Sequence, residues 1–147
     1  MTTLIPLRGD HAAILAKIHE ECFEKPWEES FFTTLLKEQQ TACPVFGWLY
    51  IKDKQQCGFI LARNQITQTE ILTFAVRPAF QKQGIGTILL IHLQQHDSSQ
   101  PIFLEVAVDN QKAINLYQQH GFKIMGKRPN YYPHQRPAID AYIMQKI

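Results

Sequence analysis

Gln81-Lys82-Gln83-Gly84-Ile85-Gly86 sets two glycines at alternate positions, after one apolar run and directly before another. Glycines so placed let the backbone approach a ligand closely and adopt dihedrals that a side chain forbids. A helix start behind them offers unpaired N–H groups and a partial positive charge, which suits a phosphate or pyrophosphate. For the hexapeptide alone, a plain tight turn is the alternative. A nucleotide P-loop is excluded, because Gly86 is followed by Thr87-Ile88 and not by Lys-Ser or Lys-Thr. A dinucleotide fingerprint is excluded as well, since it needs three glycines near the start of its fold. Glu105 stands in Ile102-Phe103-Leu104-Glu105-Val106, an otherwise apolar run. A carboxylate there either takes up a proton in catalysis or simply alternates to a solvated face. Tyr117 offers a phenol that can protonate a leaving group, or a core aromatic beside Leu116 and Phe122.

Other reactive residues lead nowhere as clear. Cys22, Cys43 and Cys57 are scattered and match no metal-ligand spacing, so they read as free thiols of a reducing cytoplasm. His19 and Cys22 share one probable helix, but a covalent route would need a third group to orient the imidazole. His92 and His96 have the spacing of a zinc pair, yet Leu93 replaces the required glutamate and no third ligand is evident. No metal is expected.

These residues need elements to position them. Ile5 to Leu7 reads as a first strand, and Asp10 as the cap of a helix running to about Cys22. Pro26-Trp27-Glu28-Glu29-Ser30 starts a second helix carrying Phe31, Phe32, Leu35 and Leu36. Val45 to Ile51 and Cys57 to Arg63 suggest a hairpin, with Lys52 to Gln56 between them. Glu70 to Val76 is apolar almost throughout, the mark of a central strand covered on both sides. A helix follows from near Gly84 or Gly86 to His96, then a strand over Ile102 to Val108 and a helix from Gln111 to His120. Gly121 closes that helix. Phe122 to Gly126 and Ala138 to Met144 are the last strands, joined by the polar, proline-rich segment Lys127 to Pro137. The order β-α-α-β-β-β-α-β-α-β-β predicts one α/β domain over residues 1–147, a mixed sheet with helices on both faces.

Composition narrows the class further. The chain has 147 residues, 45% hydrophobic and 19% charged, with a formal charge of +2. That balance is ordinary for one globular domain and shows no basic run for nucleic acid. Met1 to Asp10 lacks an apolar export core, and no apolar stretch is long enough for a membrane span. A cytoplasmic protein with no membrane or direct nucleic-acid partner is the expectation.

Glu70-Ile71-Leu72-Thr73-Phe74-Ala75-Val76 followed by Gln81-x-x-Gly84-x-Gly86 resembles the coenzyme A site of the GNAT N-acetyltransferase superfamily. The second half is similar to one branch of it, the bacterial ribosomal-protein alanine N-acetyltransferases (the RimI enzymes). Leu104-Glu105-Val106, Asn110, Ala113-Ile114-x-Leu116-Tyr117 and Gly121-Phe122 carry that likeness. So do Arg128-x-Asn130-Tyr131-Tyr132-Pro133, Asp140-Ala141 and, near the start, Pro26-Trp27.

The resemblance implies a largely antiparallel sheet whose strands ending near Val76 and Val108 run parallel and diverge. It implies acetyl-CoA as acyl donor, with Phe74, Ala75 and Val76 along the pantetheine and Asn110 hydrogen-bonding the pantetheine side. Gln81, Lys82, Gln83, Gly84, Ile85, Gly86 and Thr87 would surround the pyrophosphate. Family members often carry arginine in this loop; Gln83 removes that charge, and Lys82 is the available replacement. Glu105 becomes the general base, acting through water, and Tyr117 the general acid, also touching the cofactor. The implied acceptor is a protein N-terminus, the alanine amine of ribosomal protein S18, between walls made by Trp27, Tyr131 and Tyr132. Glu24, Glu28 and Glu29 would give its entrance an acidic rim. A different protein, a lysine side chain or a small amine is the alternative acceptor, and a non-catalytic acyl-CoA binder the alternative class.

Overall fold

A computed structural model describes residues 1–96, 98–132 and 139–147, with the backbone alone for 130–132. The elements are β1 (Thr2–Pro6), α1 (Ala12–Cys22), α2 (Glu29–Leu36), β2 (Val45–Lys52), β3 (Gln55–Asn64) and β4 (Thr69–Val76). They continue with α3 (Ile85–His96), β5 (Ile102–Ala107), α4 (Gln111–Gln119), β6 (Lys123–Tyr132) and β7 (Ile139–Lys146). One seven-stranded sheet has the order β1-β2-β3-β4-β5-β7-β6. Every neighbouring pair is antiparallel except β4 and β5, which α3 joins as a crossover. Leu15, Ile18 and Phe32 of α1 and α2 pack one face with Leu49, Phe59 and Leu61. Leu89 and Leu90 of α3 and Ile114 of α4 pack the other with Ile60, Ile71 and Leu104. The expected mixed sheet with helices on both faces is therefore what the chain forms.

Two irregularities at the centre prepare the site. Across β3, Leu61 faces Thr73 and Ala62 faces Ile71, so Leu72 is an extra residue on β4. Such a bulge turns the strand over. Phe74 and Val76 accordingly join Ile71 on the α3 side, while Ala75 packs with the α1–α2 core. Further along, β4 and β5 pair only through Thr69–Ile102 and Glu70–Phe103. Beyond those two pairs β5 keeps its partner β7, up to Ala107–Ala141, and β4 keeps β3, so the parallel strands part.

Several boundaries differ from the expected ones. The first strand lies at Thr2–Pro6, and Asp10 does not cap α1. It sits in a 3-10 turn, Gly9–His11, with its carboxylate 3.4 Å from Arg8 Nε. The hairpin turn is only Asp53-Lys54, both at positive φ (50° and 66°). That is glycine-favouring geometry built without glycine. The segment after Gly126 is not all loop, since β6 runs on to Tyr132 through Pro129. β6 is an edge strand with irregular register between Arg128 and Tyr132, which is where a sheet tolerates proline. No helix among the described residues is long and apolar enough to cross a membrane.

Candidate active site

Where β4 and β5 part, the end of β4, the following loop, the start of α3 and one side of α4 enclose a cavity of about 420 Å³. Phe74, Ala75 and Val76 form its strand wall, and Gln81, Lys82, Gly84, Ile85, Gly86 and Thr87 its loop wall. Asn110 and Tyr117 line the α4 side. Gln83 is the one expected cofactor residue outside the lining; its Oε1 lies 3.5 Å from Lys52 Nζ. Lys112 and Phe80, which no sequence pattern singled out, line the cavity too. Lys112 lies in the first turn of α4, and only the fold brings its ammonium to the loop.

The loop owes its shape to backbone and bracing together. Lys82 and Gly84 both take left-handed φ, 65° and 80°. Gln81 spends its side chain on support: Nε2 donates to Val76 O at 2.9 Å, and Oε1 accepts from Lys112 Nζ at 2.8 Å. A Cβ on Gly84 would meet nothing within 4 Å, so the requirement there is φ rather than space. On Gly86 a Cβ would lie 3.5 Å from the Phe74 ring and 3.6 Å from Leu116, an ordinary contact. Gly84→Val puts a β-branched residue at positive φ, a strain of about 1–3 kcal/mol that the loop relieves by reshaping. Calorimetry should show acetyl-CoA bound well over tenfold more weakly, with a melt establishing that the variant stays folded; unchanged affinity would reject the cradle.

Backbone polarity in β4 is set by its pairing. Arg77 N donates to Cys57 O at 2.8 Å, so by alternation Ala75 directs its backbone groups at β3. Those of Phe74 and Val76 point to the gap. Val76 O already accepts from Gln81 and from Cys22 Sγ at 3.2 Å, which makes N–H the group Val76 presents there. Asn110 caps α4, Oδ1 accepting the Ala113 N–H at 3.3 Å. Tyr117 is buried, its ring 6.2 Å from Phe74 and 5.5 Å from Phe122, centroid to centroid.

Glu105 lies on the other side of the sheet. Along β5, Ile102, Leu104 and Val106 pack beneath α3, so Phe103, Glu105 and Ala107 face away. Tyr117 and Glu105 thus approach the β4–β5 gap from opposite faces. The Glu105 carboxylate is 17% exposed, and Arg128 Nη1 sits 3.1 Å from both of its oxygens. Arg128 carried only a family likeness in the sequence, and its pairing is set by β6 lying beyond β7. Glu70, on β4, is a second carboxylate; burial first, then the charge of Glu105, pushes its pKa up. Gln65 Nε2 donates to it at 2.9 Å. A face with two carboxylates and one guanidinium can attract an ammonium ion and accept its proton.

Trp27 flanks the same face from the α1–α2 connection, half-buried against the core. Its backbone N–H donates to His19 Nδ1 at 3.0 Å, and its ring stacks on the imidazole at 5.0 Å. Glu24, Glu28 and Glu29 nearby are exposed. The side chains of Tyr131 and Tyr132 lie outside the described residues. His92 and His96 both pack on Trp48, and no metal-ligand cluster exists among the described residues.

Burial pushes the His19 pKa down from 6.5 to about 4. The unfolded chain therefore binds a proton that the folded chain refuses, and the stability held above pH 6.5 is lost as pH falls toward 4. At pH 5 the loss is about 2 kcal/mol. Urea melts at pH 7 and pH 5 should show a smaller acid loss in His19→Gln than in the parent; equal losses would contradict it.

The sequence profile of the acetyltransferase (GNAT) family matches residues 12–122. The ribosomal protein bS18-alanine N-acetyltransferase of Salmonella typhimurium is 30% identical over 131 residues, covering 87% of this chain and 85% of that one. The crystal structure of the ribosomal-protein-S18-alanine N-acetyltransferase from Escherichia coli superimposes with a TM-score of 0.88 at 28% identity, covering 99% and 93%. A shorter match, 44% identical over 77 residues, is to an uncharacterized Mycobacterium leprae protein of which this chain spans 21%.

Proposed function

The chain belongs to the acetyltransferase (GNAT) family and is an acetyl-CoA-dependent acetyltransferase; on that premise we propose that, as a single cytoplasmic domain, it acetylates the N-terminal alanine amine of ribosomal protein S18. The observation that carries this is the parting of β4 from β5, with the cavity and Tyr117 on one face and Glu105 on the other. The family relatives named for S18 support the choice of acceptor.

Acetyl-CoA supplies the thioester. Lys82 and Lys112, with the left-handed loop, suit its pyrophosphate, and the N–H groups of Phe74 and Val76 suit the amides of its arm. An incoming ammonium must lose a proton before its nitrogen can attack. Glu105, directly or through water, is the group on the acceptor face to take it, and Arg128 keeps that carboxylate oriented. Holding both reactants at one gap removes most of the entropic cost of their meeting. The departing sulfur gains negative charge on the Tyr117 face, where the phenol donates its proton. Trp27 and the segment holding Tyr131 and Tyr132 form the acceptor walls.

Mass spectrometry of S18 from cells lacking the gene tests the physiological acceptor. The expected result is an unmodified N-terminal alanine, restored to the acetylated form by the intact gene. An acetylated S18 in the deleted strain would assign the enzyme to another acceptor.

A further inference from the structure

We propose that His19 is a positioning residue for the acceptor side of the site, its imidazole suspending the Trp27 segment from strand β4. The proposal rests on Trp27 being an acceptor wall. His19 is 3% exposed and takes no part in the chemistry assigned to Glu105 and Tyr117. Between the end of α1 and the start of α2 no helix or strand holds the chain, and Pro26 has no N–H to contribute. The Trp27 N–H reaches inward to His19 Nδ1 at 3.0 Å. A backbone N–H can only donate, so Nδ1 is the acceptor nitrogen and the ring proton sits on Nε2. Nε2 therefore donates to Thr73 Oγ1, at 3.0 Å.

Thr73 is on β4, beside Phe74, on the side that the Leu72 bulge turns away from Ile71. One imidazole thus joins the acceptor segment to the strand that borders the cofactor cavity. The ring cannot tilt out of this bridge. Phe23 stacks on it at 4.1 Å and Trp27 at 5.0 Å, and Phe32 meets it edge-on at 5.5 Å. Burial keeps the ring neutral near pH 7, which leaves the Nδ1 lone pair available. Three residues on, Cys22 Sγ donates to Val76 O at 3.2 Å, a second tie from α1 to the same strand. A hydrophobic residue would fill the space but could supply neither the acceptor for the loop nor the donor for the strand.

The test is a double-mutant cycle in the full chain, with an alanine-terminated peptide as acceptor and acetyl-CoA affinity measured by calorimetry. His19→Phe keeps a ring in the stack but has neither the acceptor nor the donor, and should raise the acceptor KM roughly tenfold, the scale of one buried hydrogen-bonded link, while acetyl-CoA affinity stays within about twofold. In a Trp27→Ala background the same change should add almost nothing, because His19 acts through Trp27. Should His19→Phe not fold, Thr73→Val removes only the strand hydroxyl and should raise the acceptor KM in the same selective way. Equal effects in both backgrounds, or a parallel fall in acetyl-CoA affinity, would make His19 a packing residue and overturn the proposal. If Trp27→Ala alone leaves the acceptor KM unchanged, the acceptor wall is misplaced and the proposal falls with it. If Trp27→Ala raises KM and neither bridge variant does, the wall stands and only the role of His19 is lost.

Discussion

Glu105→Gln should lower kcat/KM by about 10²–10⁴-fold, the usual scale for losing a general base. Glutamine keeps the size and one oxygen for Arg128, but it cannot take the proton of the incoming ammonium. The ion pair it gives up is half in solvent, with Arg128 56% exposed, and such a pair contributes about 1 kcal/mol or less. Melting temperature and acetyl-CoA affinity should therefore hardly move, which separates chemistry from folding. A near-normal rate would return Glu105 to pairing with Arg128, and Glu70, the half-buried carboxylate on the same face, would become the base to test.

Tyr117→Phe should slow the chemical step by about 10²-fold. The ring keeps its contacts with Phe74 and Phe122, so the wall of the cavity stays in place. Only the proton for the departing sulfur is lost. Amine attack and thiol departure are separate events, and slow product release can mask the defect in steady state. Single-turnover measurement with saturating acceptor peptide gives the cleaner comparison. A variant as fast as the parent there would make Tyr117 a structural aromatic and leave protonation of the thiol to solvent.

Much of the fold was legible because the elements obey their own periodicities. The apolar run at Glu70–Val76 announced a central strand, and the glycines at 84 and 86 announced the turn into α3. Alternation along Ile102–Val106 already set Glu105 apart from its apolar neighbours. What the sequence hid depends on partners far away in the chain. Nothing in Ile71-Leu72-Thr73 marks Leu72 as the extra residue; the bulge exists only against Leu61 and Ala62 of β3. Asp53-Lys54 carries none of the usual glycine signal for a two-residue turn, and its φ values are imposed by the strands on either side. Pro129 looked like a loop residue because its place on a sheet edge cannot be read locally. Asp10 looked like a cap, yet it sits inside the 3-10 turn before α1, and His11 takes the N-cap position.

The same division runs through the site. The residues along the cavity come mostly from one contiguous stretch, 74–87, and local pattern was enough to gather them. The Arg128 contact with Glu105 crosses two strand pairings, and the His19 bridge joins residues 54 positions apart. Contacts of that kind follow from topology, and a list of residue types does not contain them.

The most direct test of the central claim is where the acetyl group goes. A peptide beginning with alanine and carrying an internal lysine is incubated with acetyl-CoA and the full chain, then fragmented in the mass spectrometer. A single acetyl group on the α-amine, none on the lysine, and none at all on the same peptide with a blocked N-terminus is the predicted result. Acetyl on the lysine, or equal labelling of the blocked peptide, would contradict N-terminal acetylation.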